Sequence, residues 1–384
     1  MDLNKNTVIF AGGGTGGHIY PGLAVADELR LLAAKNNREL RICWIGNSRG
    51  MDRNIVEKAT EEKQTKTIDI FYGISSGKLR RYFSVKNFFD LFRILFGFFQ
   101  AFHILRREKP AVLFSKGGFV SVPPCFAARI LKIPVYTHEC DFTLGLANKL
   151  NLKCATKMFV SFKETKNKLS DIDQKKVIVT GNPVRAVFYN AVKEKGLHFL
   201  GIDDSRPVLL VLGGSSGARQ INELVYSNID FLCRHFTVVH QTGLVNSDEC
   251  KALELSKKYS DYKPYSFIYS QMPDVLACAD VILSRAGANS IWEAAVLLKP
   301  MILVPLCGNG TRGDQVDNAE FFKKSGAAEV LLGNHADDDN LKSELSKMLD
   351  KNTRAGYVAA VKKLVAGKKP AEYIAEIIYL EVSK

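Results

Sequence analysis

Paired cysteines are missing from this chain. Of the eight present (Cys43, Cys125, Cys140, Cys154, Cys233, Cys250, Cys278 and Cys307), the nearest two are Cys140 and Cys154, and no Cys-x-x-Cys pair exists. That spacing argues against a zinc site or a disulfide framework and for a reducing compartment. Long apolar runs are missing too: no stretch is apolar over the roughly eighteen residues that a spanning helix needs. The polar start Met1-Asp2-Leu3-Asn4-Lys5-Asn6 leads directly into an apolar strand, so no signal peptide is expected. No Gly-Lys-Ser or Gly-Lys-Thr occurs, which excludes the phosphate loop of nucleotide hydrolases. Acidic residues are in deficit. Lys and Arg number 53 against 40 Asp and Glu, a net charge of +13. Such a surplus suits a polyanionic partner, whether nucleic acid, an anionic membrane surface or phosphorylated ligands.

What is present suits a soluble protein of two domains: 384 residues, 46% of them apolar. Short apolar strands alternate with helical segments, the pattern of an α/β protein whose parallel sheets are wound with helices. Strands are expected at Thr7–Ala11, Arg41–Ile45, Thr65–Ile70, Ala111–Ser115, Val135–Thr137, Lys157–Val160 and Val177–Val179. A second set is expected at Val208–Leu212, Thr237–Gln241, Tyr265–Ile268, Val281–Ser284, Met301–Val304 and Ala328–Leu331. Gly181-Asn182-Pro183 breaks the pattern and divides the chain into domains at 1–182 and 183–368. The tail from Ala355 reads as two helices, the last of which, 369–384, is expected to pack back on the first domain.

Each half opens with a strand, a glycine loop and a helix. The first loop, Gly12-Gly13-Gly14-Thr15-Gly16-Gly17-His18, precedes a helix starting near Pro21. Glycines let a backbone turn tightly and bring its N–H groups close to an anion, and the helix N-terminus adds partial positive charge. Gly12, Gly14 and Gly17 fit GxGxxG, but a dinucleotide fold also wants an acid at the end of its second strand to hold a ribose. That strand ends Trp44-Ile45-Gly46-Asn47-Ser48, with no acid. The second loop, Gly213-Gly214-Ser215-Ser216-Gly217-Ala218-Arg219, sits in the same context, which implies two phosphate-sized sites.

Two further constellations follow strands in the second half. In Ser284-Arg285-Ala286-Gly287-Ala288-Asn289-Ser290-Ile291-Trp292-Glu293 a helix start offers N–H groups to a diphosphate. Glu293 can accept from two ribose hydroxyls or merely complement the helix dipole. In Gly313-Asp314-Gln315-Val316-Asp317-Asn318-Ala319 an amide and a carboxylate stand side by side, as recognition of adjacent sugar hydroxyls requires, though an ordinary helix cap reads the same way.

Seven motifs in order, GGGTGGHIYPGLAVA, GGFVSVP, HECD, GNPVR, LGGSSGARQIN, SRAGANSIWE and GDQVDNA, cover most of the chain. Together they resemble the MurG family, the N-acetylglucosaminyltransferases that convert lipid I to lipid II in bacterial peptidoglycan synthesis. The resemblance implies a GT-B fold, two Rossmann-like domains whose parallel sheets face a deep cleft. It implies inverting transfer from UDP-N-acetylglucosamine (UDP-GlcNAc) to the C4 hydroxyl of N-acetylmuramic acid, with no cofactor, no metal and no nucleic acid. The partners implied are lipid I, an anionic membrane surface and a cell-wall synthesis complex. The place implied is cytoplasmic, peripheral on the inner face of the plasma membrane.

Carried over by motif position, Ile268 would meet the uracil and Glu293 the ribose. Ser215 and the helix start Ala288-Asn289-Ser290 would take the diphosphate, with Arg185 as a nearby cation, Ile291 and Trp292 would join the UDP-GlcNAc contacts, and Gln315 would take the sugar hydroxyls. Thr15, Gly16 and Gly17 would reach the donor, with Asp141 on its sugar. Gly13, Gly14 and Gly118 would meet the acceptor diphosphate. The family often has HEQN where His138-Glu139-Cys140-Asp141 stands, and GYVSGP where Gly118-Phe119-Val120-Ser121-Val122-Pro123 stands. Asp141 accepts from a hydroxyl but cannot donate, and it brings charge. The hydroxyl needs a base and the leaving diphosphate needs positive potential. His18 is the first candidate base, since its unperturbed pKa is near neutral; Asp141 and Glu139 are rivals, and a positioning role for His18 stays open. Asp171-Ile172-Asp173 and Asp337-Asp338-Asp339 read as turn and cap acids rather than metal ligands.

Phe83 to Leu105 is rich in aromatic and aliphatic residues. Lys86, Asp90, Arg93, Gly97, Gln100 and Arg107 fall on one narrow stripe at helical spacing, and nearly all the rest is apolar. A helix covering one sheet needs a single apolar face. The surplus, with Phe88, Phe92, Phe96 and Phe99 and the basic ends Lys78, Arg80, Arg81, Arg106 and Arg107, suits an anionic leaflet; burial on both sides is the alternative. Three other functions remain open: a glycosyltransferase for another lipid such as diacylglycerol, a UDP-sugar 2-epimerase, and a nucleotide-sugar-binding regulator.

Overall fold

In the computed structural model, the residues described are 4–61, 66–77, 85–214, 217–244, 249–308, 311–367 and 369–383. The chain forms two compact units, Met1–Arg185 with Lys368–Lys384, and Ala186–Gly367.

The first unit is a seven-stranded sheet of β1 (Asn4–Gly12), β2 (Arg41–Asn47), β3 (Ile70–Ile74), β4 (Pro110–Gly117), β5 (Val135–Glu139), β6 (Lys157–Val160) and β7 (Val177–Val179). Its order is β3-β2-β1-β4-β5-β6-β7, with every pair parallel. Helices cover both faces, so central strands are apolar throughout: β4 is buried along its whole length. Val8, Phe10, Trp44 and Phe114 face one helical layer and Ile9, Ala11, Cys43 and Leu113 the other. The last helix, Pro370–Val382, joins the first layer through Ile374, Ile377, Ile378 and Val382. Tyr136 Oη donates to Glu381 at 2.6 Å, which ties that helix to β5.

The second unit is a six-stranded sheet of β8 (Val208–Leu212), β9 (Thr237–Gln241), β10 (Tyr262–Tyr265), β11 (Val281–Ser284), β12 (Met301–Leu303) and β13 (Ala328–Val330). Its order is β10-β9-β8-β11-β12-β13, again all parallel.

Two strands lie away from where sequence pattern puts them. The segment expected at Thr65–Ile70 becomes a connector leading into β3, because Asp69 turns its carboxylate to Arg30 at 2.7 Å and to the Ile42 N–H at 2.7 Å. The strand expected at Tyr265–Ile268 ends at Tyr265 and begins earlier, through Pro264. Proline lacks a ladder donor, and β10 tolerates it as an edge strand paired only with β9.

In each unit the chain moves outward along one side of the first strand and then crosses to its other side. The reversal opens a crevice at the carboxyl ends of β1 and β4, and of β8 and β11, which is where open α/β sheets bind ligands. Four of the six glycine-bearing motifs, those at Gly12, Gly117, Gly213 and Gly287, follow those four strands.

Candidate active site

The first glycine loop is held from inside by a residue that the motifs do not contain. Asp52, 1% exposed, opens the helix Asp52–Glu61 after β2. Its carboxylate accepts the Gly14 N–H at 2.9 and 3.1 Å and the Asn47 N–H at 2.8 Å. Burial raises its pKa, and the two backbone donors offset that only in part. A Cβ on Gly13 would lie 1.7 Å from Asp52 Oδ2, so only glycine fits there. The Gly14 N–H is spent on this carboxylate. The acceptor diphosphate expected at Gly13, Gly14 and Gly118 would therefore not be met by the Gly14 N–H.

Beyond Gly14 the loop turns outward. His18 N–H donates to Thr15 O at 3.1 Å, and Thr15 Oγ1 lies 2.9 Å from His18 Nδ1. Gly118, after β4, brings its backbone under that imidazole: a Cβ there would stand 3.2 Å from His18 Cγ and 2.6 Å from Gly13 O. Gly118 thus makes room for His18 and the loop. Arg185, at the end of this unit, lies over the Tyr20 ring at 4.7 Å, beside the start of the helix Tyr20–Lys35 that the loop feeds.

Of His138-Glu139-Cys140-Asp141, only Asp141 is not buried. His138 Nε2 pairs with Gly181 O at 3.1 Å, which joins this motif to Gly181-Asn182-Pro183. Burial, with the Lys116 ammonium beside it, holds the His138 pKa well below its usual value. Burial pushes the Cys140 thiol up to about 12, so it is no nucleophile. Glu139 accepts from Asp141 N–H at 3.1 Å, Gly145 N–H at 2.9 Å and Asn148 Nδ2 at 3.0 Å. These three bonds tie Glu139 to the turn that carries Asp141. Glu139, Cys140 and Asp141 have polar atoms within 4.8 Å of one another, with the Glu139 carboxylate serving three N–H donors. Asn148 and Asn151 sit one helical turn apart beneath this turn; Asn151 Nδ2 reaches Ser115 Oγ at 3.1 Å and Ser121 Oγ at 2.8 Å.

In the second unit, Ser215 and Ser216 lie outside the described residues. Around them Gly214 and Gly217 take positive φ, and Gly217 N–H donates to Gly214 O at 3.1 Å before the helix Arg219–Ser227. Arg285 after β11 is structural: it donates to Gln220 Oε1 and Val304 O, both at 2.9 Å, and burial lowers its pKa. The helix Ala288–Val296 starts at Gly287, whose Cα faces open space. The first intrahelical bond here runs from Ile291 N–H to Gly287 O at 3.1 Å.

Helical periodicity splits the expected ligand set. Ile291 is 1% and Trp292 7% exposed, with Trp292 edge-on to Phe322 in the core. Their side chains are corrected to core residues, and Asn289, Ser290 and Glu293 form the outward face. Ile268 is also buried, and its N–H is taken by Gln241 Oε1 at 3.0 Å, so only its carbonyl remains for a base. Gln315 Oε1 accepts the Leu306 N–H at 2.9 Å, which fixes the amide with its Nε2 donor on the other side. Asp337 caps the helix Asp338–Lys347 through the Asn340 N–H at 2.8 Å, and Ser170 caps the turn Asp171–Gln174.

The helix Val85–Glu108 packs Ala101 and Leu105 into the core, and part of its polar stripe faces inward as well: Asp90 is buried, Gln100 Oε1 accepts Ser75 N–H at 2.7 Å, and a Cβ on Gly97 would strike Ser75 O, whereas Arg93 and Arg107 are exposed. Leu91, Phe92, Leu95, Phe96 and Phe99 are each more than half exposed. The Phe88 side chain, Lys78, Arg80 and Arg81 lie outside the described residues. No helix among the described residues is long and apolar enough to cross a membrane.

Residues 8–160 match the glycosyltransferase family 28 N-terminal domain and residues 208–375 the glycosyltransferase family 28 C-terminal domain. A Treponema denticola protein named UDP-N-acetylglucosamine–N-acetylmuramyl-(pentapeptide) pyrophosphoryl-undecaprenol N-acetylglucosamine transferase is 49% identical, over 97% of this chain and 96% of its own. A Clostridium botulinum protein of the same name is 41% identical over 89% of this chain and 91% of its own. Among solved structures, Acinetobacter baumannii MurG superposes with a TM-score of 0.71 at 21% identity, covering 97% of this chain and 98% of that one.

Proposed function

The chain belongs to glycosyltransferase family 28, among its UDP-N-acetylglucosamine–N-acetylmuramyl-(pentapeptide) pyrophosphoryl-undecaprenol N-acetylglucosamine transferases, and from that premise we propose which of its residues carry the transfer. The enzyme moves N-acetylglucosamine from UDP-GlcNAc to lipid I and so forms lipid II. The acceptor C4 hydroxyl attacks the anomeric carbon as the bond to UDP breaks, in one displacement that inverts the configuration. His18 Nε2 takes the hydroxyl proton. The observation that carries this assignment is the 2.9 Å pairing of His18 Nδ1 with Thr15 Oγ1. With Nδ1–H donating to Thr15, Nε2 keeps its lone pair as a base must. Asp141, half-exposed at the end of β5, accepts from a sugar hydroxyl. Incubation of the protein with labelled UDP-GlcNAc and lipid I tests the reading: label appears in a β-linked lipid II, and absence of transfer overturns it.

The donor falls to the second unit. The Ala288 and Ser290 N–H groups at the helix start, with the loop holding Ser215, draw the diphosphate. The Ile268 carbonyl receives the uracil imide N–H, Glu293 the ribose hydroxyls, and Gln315 Nε2 donates to the sugar. Glu293→Gln is expected to raise KM for UDP-GlcNAc about 10- to 100-fold, the worth of hydrogen bonds to a charged acceptor. A 2′-deoxyribose donor penalises the parent enzyme but not this variant. An unchanged KM would remove Glu293 from the ribose.

The exposed face of the helix Val85–Glu108 is proposed to rest on an anionic leaflet at the cytoplasmic side of the membrane. Support comes from five large apolar side chains facing outward, next to Arg106 and Arg107. Burying each phenylalanine contributes about 1.5–3 kcal/mol. Phe96→Asp with Phe99→Asp should therefore lower binding to anionic phospholipid vesicles at least about tenfold, with activity on a detergent-dispersed acceptor retained. Flotation equal to the parent protein would sink this assignment.

A further inference from the structure

A dinucleotide-binding fold spends the acid after its second strand on a ribose. Here the acid after β2 turns inward onto the glycine loop. We propose that Asp52 is a positioning residue for His18 in the transfer reaction, an inference that rests on the reading of His18 as the base.

The peptide between Gly13 and Gly14 is fixed at both ends. Its N–H points to Asp52 at 2.9 and 3.1 Å, and its carbonyl lies against Gly118, where a Cβ would come within 2.6 Å. Gly14 takes φ +85°, with the Phe119 ring closing on its other side. Turned this way, the chain enters Thr15 with its hydroxyl on His18 Nδ1 and the imidazole over Gly118. The same carboxylate holds the Asn47 N–H at 2.8 Å, so it links the loops after β1 and β2. Without that acceptor, the Gly14 N–H is left unsatisfied in a closed space, and the peptide must rotate to find a partner. Rotation would drive the Gly13 carbonyl away from Gly118 and displace Thr15, and His18 with it. Displacement of a catalytic group by about an ångström costs on the order of 100-fold in rate.

The test is a double-mutant cycle in the full-length enzyme. Asp52→Ala is expected to lower kcat about 100-fold. KM for UDP-GlcNAc should stay within about twofold, since the donor is held elsewhere. Asp52→Asn keeps one acceptor oxygen and is expected to lose about tenfold. Hydrogen exchange at the Gly14 amide should quicken in both. In a His18→Ala background, either Asp52 change should cost nothing more, because Asp52 acts through His18. Losses that multiply instead of saturating would overturn the proposal, and so would a parent-like kcat in Asp52→Ala. Where Asp52→Ala does not fold, Asp52→Asn carries the same cycle. The two ideas fail separately: a parent-like kcat in His18→Ala removes the base itself, whereas a loss in His18→Ala without one at Asp52 removes only the positioning role.

Discussion

His18→Ala is expected to lower kcat for lipid II formation by about 10²- to 10⁴-fold, the range that general-base assistance supplies. KM for UDP-GlcNAc should stay within about twofold, because the interaction lost is made in the transition state and not with the bound donor. Thr15→Val should lie between the two enzymes. It leaves the imidazole in place but removes the partner that fixes Nδ1 at 2.9 Å, so the ring samples the tautomer whose Nε2 carries the proton. Steady-state kinetics with both substrates varied separates the readings. A His18→Ala enzyme with near-normal turnover and a raised KM for the acceptor would make His18 a binding residue and leave Asp141, the one member of its motif that is not buried, as the base.

The strands were legible because parallel sheets bury both faces and so write continuous apolar runs. β1, β4 and β8 fall where those runs stand. The edges were not: Pro264 reads as a break until the strand that holds it is known to be terminal, and Asp69 reads as strand until its partners Arg30 and Ile42 are seen. The glycine loops after β1, β4, β8 and β11 were legible as a set, since those strands flank the two switch points. What each residue does there was less so. Trp292 and Glu293 are neighbours in one motif, yet one faces the core and the other does not, a distinction set by helix phase. Asp52 was invisible for another reason. A dinucleotide reading looks for an acid at the end of β2 to meet a ligand, and this acid lies one turn later and meets the backbone instead.

Gly118→Ala should be strongly destabilising to the first unit. Gly118 sits at φ +77°, ψ 157°, a region essentially reserved for glycine, which alone costs about 1–3 kcal/mol. The added methyl would stand 2.6 Å from Gly13 O, a backbone atom held through Asp52 and unable to yield cheaply. Overpacking of that kind adds about 1–3 kcal/mol. The sum is a large share of a domain's net stability of about 5–15 kcal/mol. Gly287→Ala is the matched control: it has φ −69° and nothing within reach of a Cβ, so its cost should stay within about 0.5 kcal/mol. Two units need not melt together, so the decisive measurement is the unfolding transition of the first unit, followed through the buried Trp44. Because the same methyl meets the His18 ring at 3.2 Å, kcat should fall even where the protein remains folded. A Gly118→Ala enzyme that melts with Gly287→Ala and turns over normally would mean that Gly118 and His18 do not pack as described.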